Sequence, residues 1–279
     1  MTGREAAVPI MTTQANFAQR LRSRLPQVGY WIVSDSAAVA ERIGRLGYDY
    51  VCLDMQHGLI DYATVLRGLT ALDASGCAGV VRVPADDAAV IGKVLDAGAR
   101  GVIVPLVDTA AQAAAAAAAC RYPPHGRRSY GPTRSGLRIG PDIRSADAQV
   151  ACIVMIETAA GLANAEAICR APGVDAVYVG PNDLALSLGA RSPADRDRLP
   201  GFEPALTAIR AAARGAGIAV GIHCDDGAEA AKALAAGFTF ASVSCDLEHL
   251  AAYAAEQREL AGAPGPAGTG PAHGEGPLA

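Results

Sequence analysis

Several short stretches of the sequence end apolar runs with side chains able to do chemistry together. Asp54, Gln56 and His57 follow YDYVCL, Arg82 interrupts VVRVP, Glu157 closes ACIVMI, and Gly180-Pro181-Asn182-Asp183 follows DAVYV. Glu157 and Asp183 are candidate ligands of one hard cation. Mg²⁺ takes one or two protein carboxylates and completes its octahedron with water and substrate oxygens. A 2-oxo acid supplies two such oxygens, from its ketone and its carboxylate. Asp183 would otherwise be a helix N-cap, whereas a carboxylate closing an apolar strand needs a partner. Arg82 is costly to bury unpaired. It either forks onto an anionic ligand oxygen or pairs with an acid of a neighbouring strand. His57 is a candidate general base, with Asp54 and Gln56 placed to position it; the alternative is a surface loop histidine. His223, at the end of IAVGIHC, stays open between site and core. His125, His249 and His273 read as loop, helix and tail residues with no role.

The 24 basic residues include only two lysines, Lys93 and Lys232. Both lie in helical segments, IGKVLDAG and AAKALAAG. Schiff-base chemistry at a 2-oxo acid needs a lysine inside the pocket, so it is excluded by position. A metal is then the electron sink that polarises the ketone toward its enolate.

The elements that must position these residues alternate. Apolar runs at 29–33, 48–54, 79–84, 101–107, 151–157, 175–180, 218–224 and 238–245 have the β-branched content of strands covered on both faces. Between them fall helical segments near 35–46, 62–75, 86–98, 109–120, 159–170, 204–216, 226–236 and 246–260. Gly47, Gly98, Gly217 and Gly237 supply stop signals. Strand–helix alternation of this kind predicts an α/β fold, a single (β/α)8 TIM barrel, whose usual size of about 250 residues suits a 279-residue chain. A doubly wound open sheet would carry a Gly-rich phosphate turn after an early strand, and none is present. In a barrel, strand C-terminal ends converge on one rim, which gathers residues far apart in sequence.

The rest of the chain bounds the function. A hydrophobic share of 51% feeds a large core, and a net charge of -4 gives no reason to expect nucleic acid or an anionic membrane. No apolar run approaches the roughly 20 residues of a membrane span. The seven cysteines are scattered without a C-x-x-C pair, as expected of reduced, buried thiols in a cytoplasmic protein. Residues 1–24 read as an N-terminal extension, in which Met11 is a possible start. Residues 25–261 read as the barrel and 262–279 as a disordered low-complexity tail. An Arg-rich insertion spans 121–148; its Arg127, Arg128 and Arg134 are candidates either for the far carboxylate of a diacid or for a subunit contact.

Taken jointly, GYDYVCLDMQHG, VVRVP, KVLDAGARGVIVPLVDT, RYPPHGRRSYGP, VMIET and VYVGPNDLALSLG resemble the class II pyruvate aldolases of the 4-hydroxy-2-oxoheptanedioate aldolase type, in the phosphoenolpyruvate/pyruvate barrel superfamily. The resemblance runs from about Gly29 to His249. It implies Mg²⁺, Mn²⁺ or Co²⁺ on Glu157 and Asp183, His57 as proton acceptor, and Arg82 stabilising an enolate-like transition state. It also implies that Asp96 raises the basicity of that histidine, and that the chain forms a homohexamer, a trimer of dimers exchanging the last helix. Gln56, Met155 and Asn182 depart from the best-known members, which have Glu, Gln and Ala there.

The reaction expected is reversible cleavage of a 4-hydroxy-2-oxo acid, such as 4-hydroxy-2-oxoheptanedioate, to pyruvate and an aldehyde. Backbone N–H groups of Gly180, Asn182 and Asp183 are placed to bind the 2-oxo acid carboxylate. A citramalyl- or malyl-CoA-type lyase is the nearest alternative, and a non-catalytic barrel a more distant one.

Overall fold

Each apolar run puts alternate side chains on opposite faces, so a strand buried on both sides needs apolar residues at every position. A computed structural model describes residues 13–262, and there these runs form eight parallel strands. They are β1 Gln27–Ile32, β2 Tyr50–Asp54, β3 Ala78–Arg82, β4 Gly101–Val104, β5 Ala151–Ile156, β6 Ala176–Val179, β7 Ala219–Cys224 and β8 Phe240–Cys245. Each pairs with the next and β8 returns to β1, closing the barrel.

The two faces make two cores. Inward residues, among them Trp31, Cys52, Val80, Ile153 and Tyr178, fill the interior. Outward residues such as Leu53, Val81, Val154 and Ile222 pack against Leu69, Ile91 and Ile209 of the surrounding helices. Each large side chain buried this way stabilises the fold by about 1.5–3 kcal/mol.

Most helices fall where the periodicity places them, including Tyr62–Ser75 and Asp246–Leu260. The four stop glycines all adopt positive φ, from +76° at Gly217 to +105° at Gly98. The segment 159–170 splits at Asn164 into Ala159–Ala163 and Ala165–Cys169. After β6, a helix Pro181–Ser187 and a 3-10 turn Pro193–Arg198 fill a stretch that the sequence left unassigned. The insertion holds two short helices, Ser135–Arg138 and Ile143–Ala148.

Within the stretch set apart as an extension, the helix Thr13–Arg22 stoppers the N-terminal mouth of the barrel. Phe17, Ala18 and Leu21 join the interior core, with the Phe17 ring 5.4 Å from that of Tyr50. Arg22 fastens this helix to the Val150 carbonyl and to Asp175, each at 2.7 Å. Apart from Gly262, the low-complexity tail lies outside the described residues. All seven cysteines are free and buried, as expected of thiols absorbed by the core.

Candidate active site

Strand register decides which polar residues meet. Asp54 lies directly opposite Arg82 in the β2–β3 ladder. The guanidinium forks onto that carboxylate, Nε donating to Oδ1 at 2.8 Å and Nη2 to Oδ2 at 2.5 Å. Asp54 Oδ1 also accepts the backbone N–H groups of Gln56 at 2.9 Å and His57 at 3.4 Å, which fixes the loop carrying the histidine. Burial pushes the Asp54 carboxyl up, but the Arg82 hydrogen bonds and charge outweigh it and hold it below the usual carboxylate range. Both residues are buried, so the strand-to-strand ion pair expected as one alternative for Arg82 is present. Its Nη1 is not engaged by Asp54 and can still face a ligand.

Glu157 is the opposite case. It lies one residue past β5, 1% exposed. Oε1 accepts the Leu106 backbone N–H at 2.8 Å, whereas Oε2 is buried with no hydrogen-bond partner. Leu106 aims that N–H from a left-handed backbone, φ +55°, a conformation costly for a residue with a Cβ. Burial first, then the charges of Asp183 and Asp108, drive the Glu157 carboxyl up to about 7 against the pull of Leu106 and Arg82. Room for the carboxylate comes from Gly180, where a Cβ would collide with Oε2. Pro181 starts the next helix, and its cap residue Gly180 has no side-chain cap. Asp183 stands in the first turn of that helix, and Asn182 is buried beside it with Oδ1 3.5 Å from Arg196 Nη1.

His57 is exposed on its loop, and its imidazole has no hydrogen-bond partner among the described residues. At the β8–β1 closure one residue too many is accommodated: Tyr30 pairs Val243 but Trp31 pairs Cys245, so Ser244 bulges at φ +41°. Bulges of this kind re-aim side chains beside active sites. Half of the twelve buried side-chain atoms left without a partner belong to this rim: Trp31 Nε1, Ser34 Oγ, Gln56 Oε1, Glu157 Oε2, His223 Nδ1 and Asp246 Oδ2. Ser34 was visible in sequence only as a loop polar, and the burial of its Oγ marks it; Gln56, already a candidate beside His57, has its Oε1 buried in the same way.

The structure thus brings Asp54, Gln56, His57, Arg82, Glu157, Gly180, Asn182 and Asp183 to one end of the barrel. Within one chain it does not bring Asp96 there. Asp96 ends the helix Ala88–Asp96, and barrel helices run down while strands run up, so it lies at the opposite face from His57. Its Oδ1 accepts Arg128 Nη2 at 2.7 Å. Arg134 binds the Ala97 carbonyl and Asp73 at that same face. Within one chain neither Arg128 nor Arg134 reaches the rim, where the diacid contact considered for them would be made.

Among the described residues no three His, Cys, Asp or Glu side chains gather as a metal cluster. The Asp183 charge reaches the Glu157 carboxyl, and two carboxylates suit a cation that takes its remaining oxygens from water and substrate.

Comparisons with known proteins identify the family. The profile of the HpcH/HpaI aldolase/citrate lyase family matches residues 27–252. A hydroxypyruvate/pyruvate aldolase of Rhizorhabdus wittichii is 40% identical over 230 residues, covering 82% of this chain and 91% of that one. A 4-hydroxy-2-oxovalerate aldolase of Rhodococcus jostii is 38% identical over 240 residues, 85% and 92% of the two chains. An HpcH/HpaI aldolase/citrate lyase family protein of Burkholderia cenocepacia superposes with a TM-score of 0.82 at 35% identity, covering 89% of this chain and all of that one. The chain belongs to the HpcH/HpaI aldolase/citrate lyase family and is a carbon–carbon lyase.

Proposed function

We propose that this family member is a divalent-metal-dependent aldolase that reversibly cleaves a 4-hydroxy-2-oxo acid to a pyruvate-type 2-oxo acid and an aldehyde. The observation that carries the reading is Glu157: buried, with one oxygen unpaired, beside Asp183, and in no ion pair among the described residues. A site that leaves a carboxylate so placed fits a cation. Glu157 and Asp183 would hold Mg²⁺, Mn²⁺ or Co²⁺, which supplies polarisation of the ketone and charge neutralisation as the enolate develops.

The chain's own residues supply the rest. His57 takes the proton of the 4-hydroxyl. As C3–C4 breaks, its electron pair passes into the enolate, and the aldehyde carbonyl forms and departs. Arg82, locked by Asp54, presents Nη1 to the enolate oxygen without having to reorganise. Backbone N–H groups at Gly180, Asn182 and Asp183 face the oxo acid's carboxylate. Protonation at C3 completes the oxo acid product. The relatives' names, hydroxypyruvate/pyruvate and 4-hydroxy-2-oxovalerate aldolase, support a small 2-oxo acid as the shared half. The helix Asp246–Leu260 leaves Leu250, Tyr253 and Leu260 exposed, which supports the proposed hexamer with this helix exchanged.

The test is pyruvate release from 4-hydroxy-2-oxo acids with Mg²⁺ or Mn²⁺, reported by lactate dehydrogenase. EDTA should abolish it. No release from any such acid would overturn the aldolase reading, and release that survives both EDTA and Glu157→Ala would overturn its metal dependence.

A further inference from the structure

His223 is the titratable group at the rim that the reaction above leaves unused. It sits inward near the end of β7 and is 5% exposed. Alternate barrel strands contribute side chains at one height; here β1 gives Trp31, β3 gives Arg82, β7 gives His223, and Glu157 stands just past β5. The imidazole lies edge-on to Trp31 with centroids 5.2 Å apart, and the Arg82 guanidinium lies 5.1 Å over the same indole. No hydrogen bond joins the His223 ring to a described residue, and Nδ1 is fully buried. A buried polar atom without a partner costs about 1–3 kcal/mol and is uncommon in native structures. One uncharged group shares that condition beside it, Trp31 Nε1.

This wall of the site is neutral. Burial, then the Arg82 charge, push the His223 pKa down to about 4, with Asp54 opposing and Arg196 adding to the effect. The nearby cations are already engaged: Arg82 with Asp54, and Arg196 with Asp225 and Glu229. A second carboxylate would therefore meet only cations already paired with acids. A neutral imidazole offers one N–H and one lone pair, which matches a hydroxyl, itself donor and acceptor. The aldehyde half must leave toward exposed His57, whereas His223 lies at the height of Arg82, beside the oxo acid half.

We propose that His223 is a specificity-determining residue that hydrogen-bonds a hydroxyl on C3 of the oxo acid, so that the site favours 3-hydroxy-2-oxo acids over the unsubstituted 2-oxo acid. The inference rests on the reading that this rim binds a 2-oxo acid. Trp31, the single tryptophan of the chain, touches His223 and reports occupancy by its fluorescence. Wild-type protein in MgCl₂, titrated with hydroxypyruvate and with pyruvate, should bind the former about tenfold more tightly, one good hydrogen bond's worth. His223→Phe, which keeps the ring packing, should bring the two affinities within about threefold by weakening hydroxypyruvate alone. His223→Gln should restore part of the preference, and His223→Leu repeats the loss in a different packing. The inference is overturned if wild type shows no preference, if the preference survives both Phe and Leu, or if both ligands weaken equally. A preference that depends on His223 in a protein that cleaves no 4-hydroxy-2-oxo acid would remove the aldolase reading and leave this one standing.

Discussion

The two ends of the barrel treat their acids differently. At the N-terminal end half-buried Asp175 lies between Arg22 at 2.7 Å and Arg121 at 2.5 Å, Asp73 is paired with Arg134, and Asp96 with Arg128. At the C-terminal end Asp54 has Arg82, but Glu157 and Asp183 enter no ion pair among the described residues. The same chemical group is held below its usual range in Asp54 and driven up to about 7 in Glu157. Charge at the lower end is closed on itself and serves stability. At the upper end it is left open to something from outside, which is where barrel enzymes keep their chemistry.

The largest test of that contrast is Glu157→Gln. It should lower metal-dependent cleavage by about 10³-fold, several kcal/mol of transition-state stabilisation, while the melting temperature of metal-free protein holds or rises because a desolvated acid is gone. At the other end Asp175→Ala should do the reverse. Left facing each other, Arg22 and Arg121 should cost about 2–3 kcal/mol in urea unfolding, allowing for partial exposure, with kcat within about twofold. A smaller effect is expected from Gly180→Ala, whose methyl displaces the Glu157 carboxylate. Cleavage should fall by about 10- to 100-fold, and metal affinity, followed by calorimetry, should weaken with it.

The smallest effect lies in the pH dependence of metal-free stability. From its ordinary 4.5 to about 7, folded Glu157 keeps a proton that the unfolded chain has lost, so its contribution falls as pH rises. Between about 4 and 6.5, unfolded His223 holds a proton that the folded ring refuses, so its contribution rises with pH. The two oppose each other over the shared window. In EDTA between pH 5 and 6.5, Glu157→Gln should therefore gain about 1–2 kcal/mol relative to wild type as pH rises, and His223→Phe should lose a similar amount. Parallel curves for all three proteins would break the contrast.

What could be read in advance followed period and position. Apolar runs with β-branched residues located the strands because both faces are buried, and the ends of those runs then located Asp54, Arg82, Glu157 and Asp183. Asp96 was out of reach of such reasoning: its residue type and its place near a motif said nothing of which barrel face a helix end occupies. The Arg82–Asp54 fork needed the β2–β3 register, which sequence does not print. The weight of His223 lies in a buried, partnerless Nδ1, a fact of packing around β7 that no spacing encodes. The helix Thr13–Arg22 was missed because only its far partners, on β3 and β5, make sense of Phe17 and Leu21.

That helix also imposes an order on assembly. Arg22 ties to Val150, 128 residues downstream, and its apolar face has nowhere to go until the strands it covers have been synthesised and have closed. On a ribosome Phe17 and Leu21 would emerge long before their seat exists, so the earliest described helix is a late one to dock and a natural binding stretch for chaperones in the meantime.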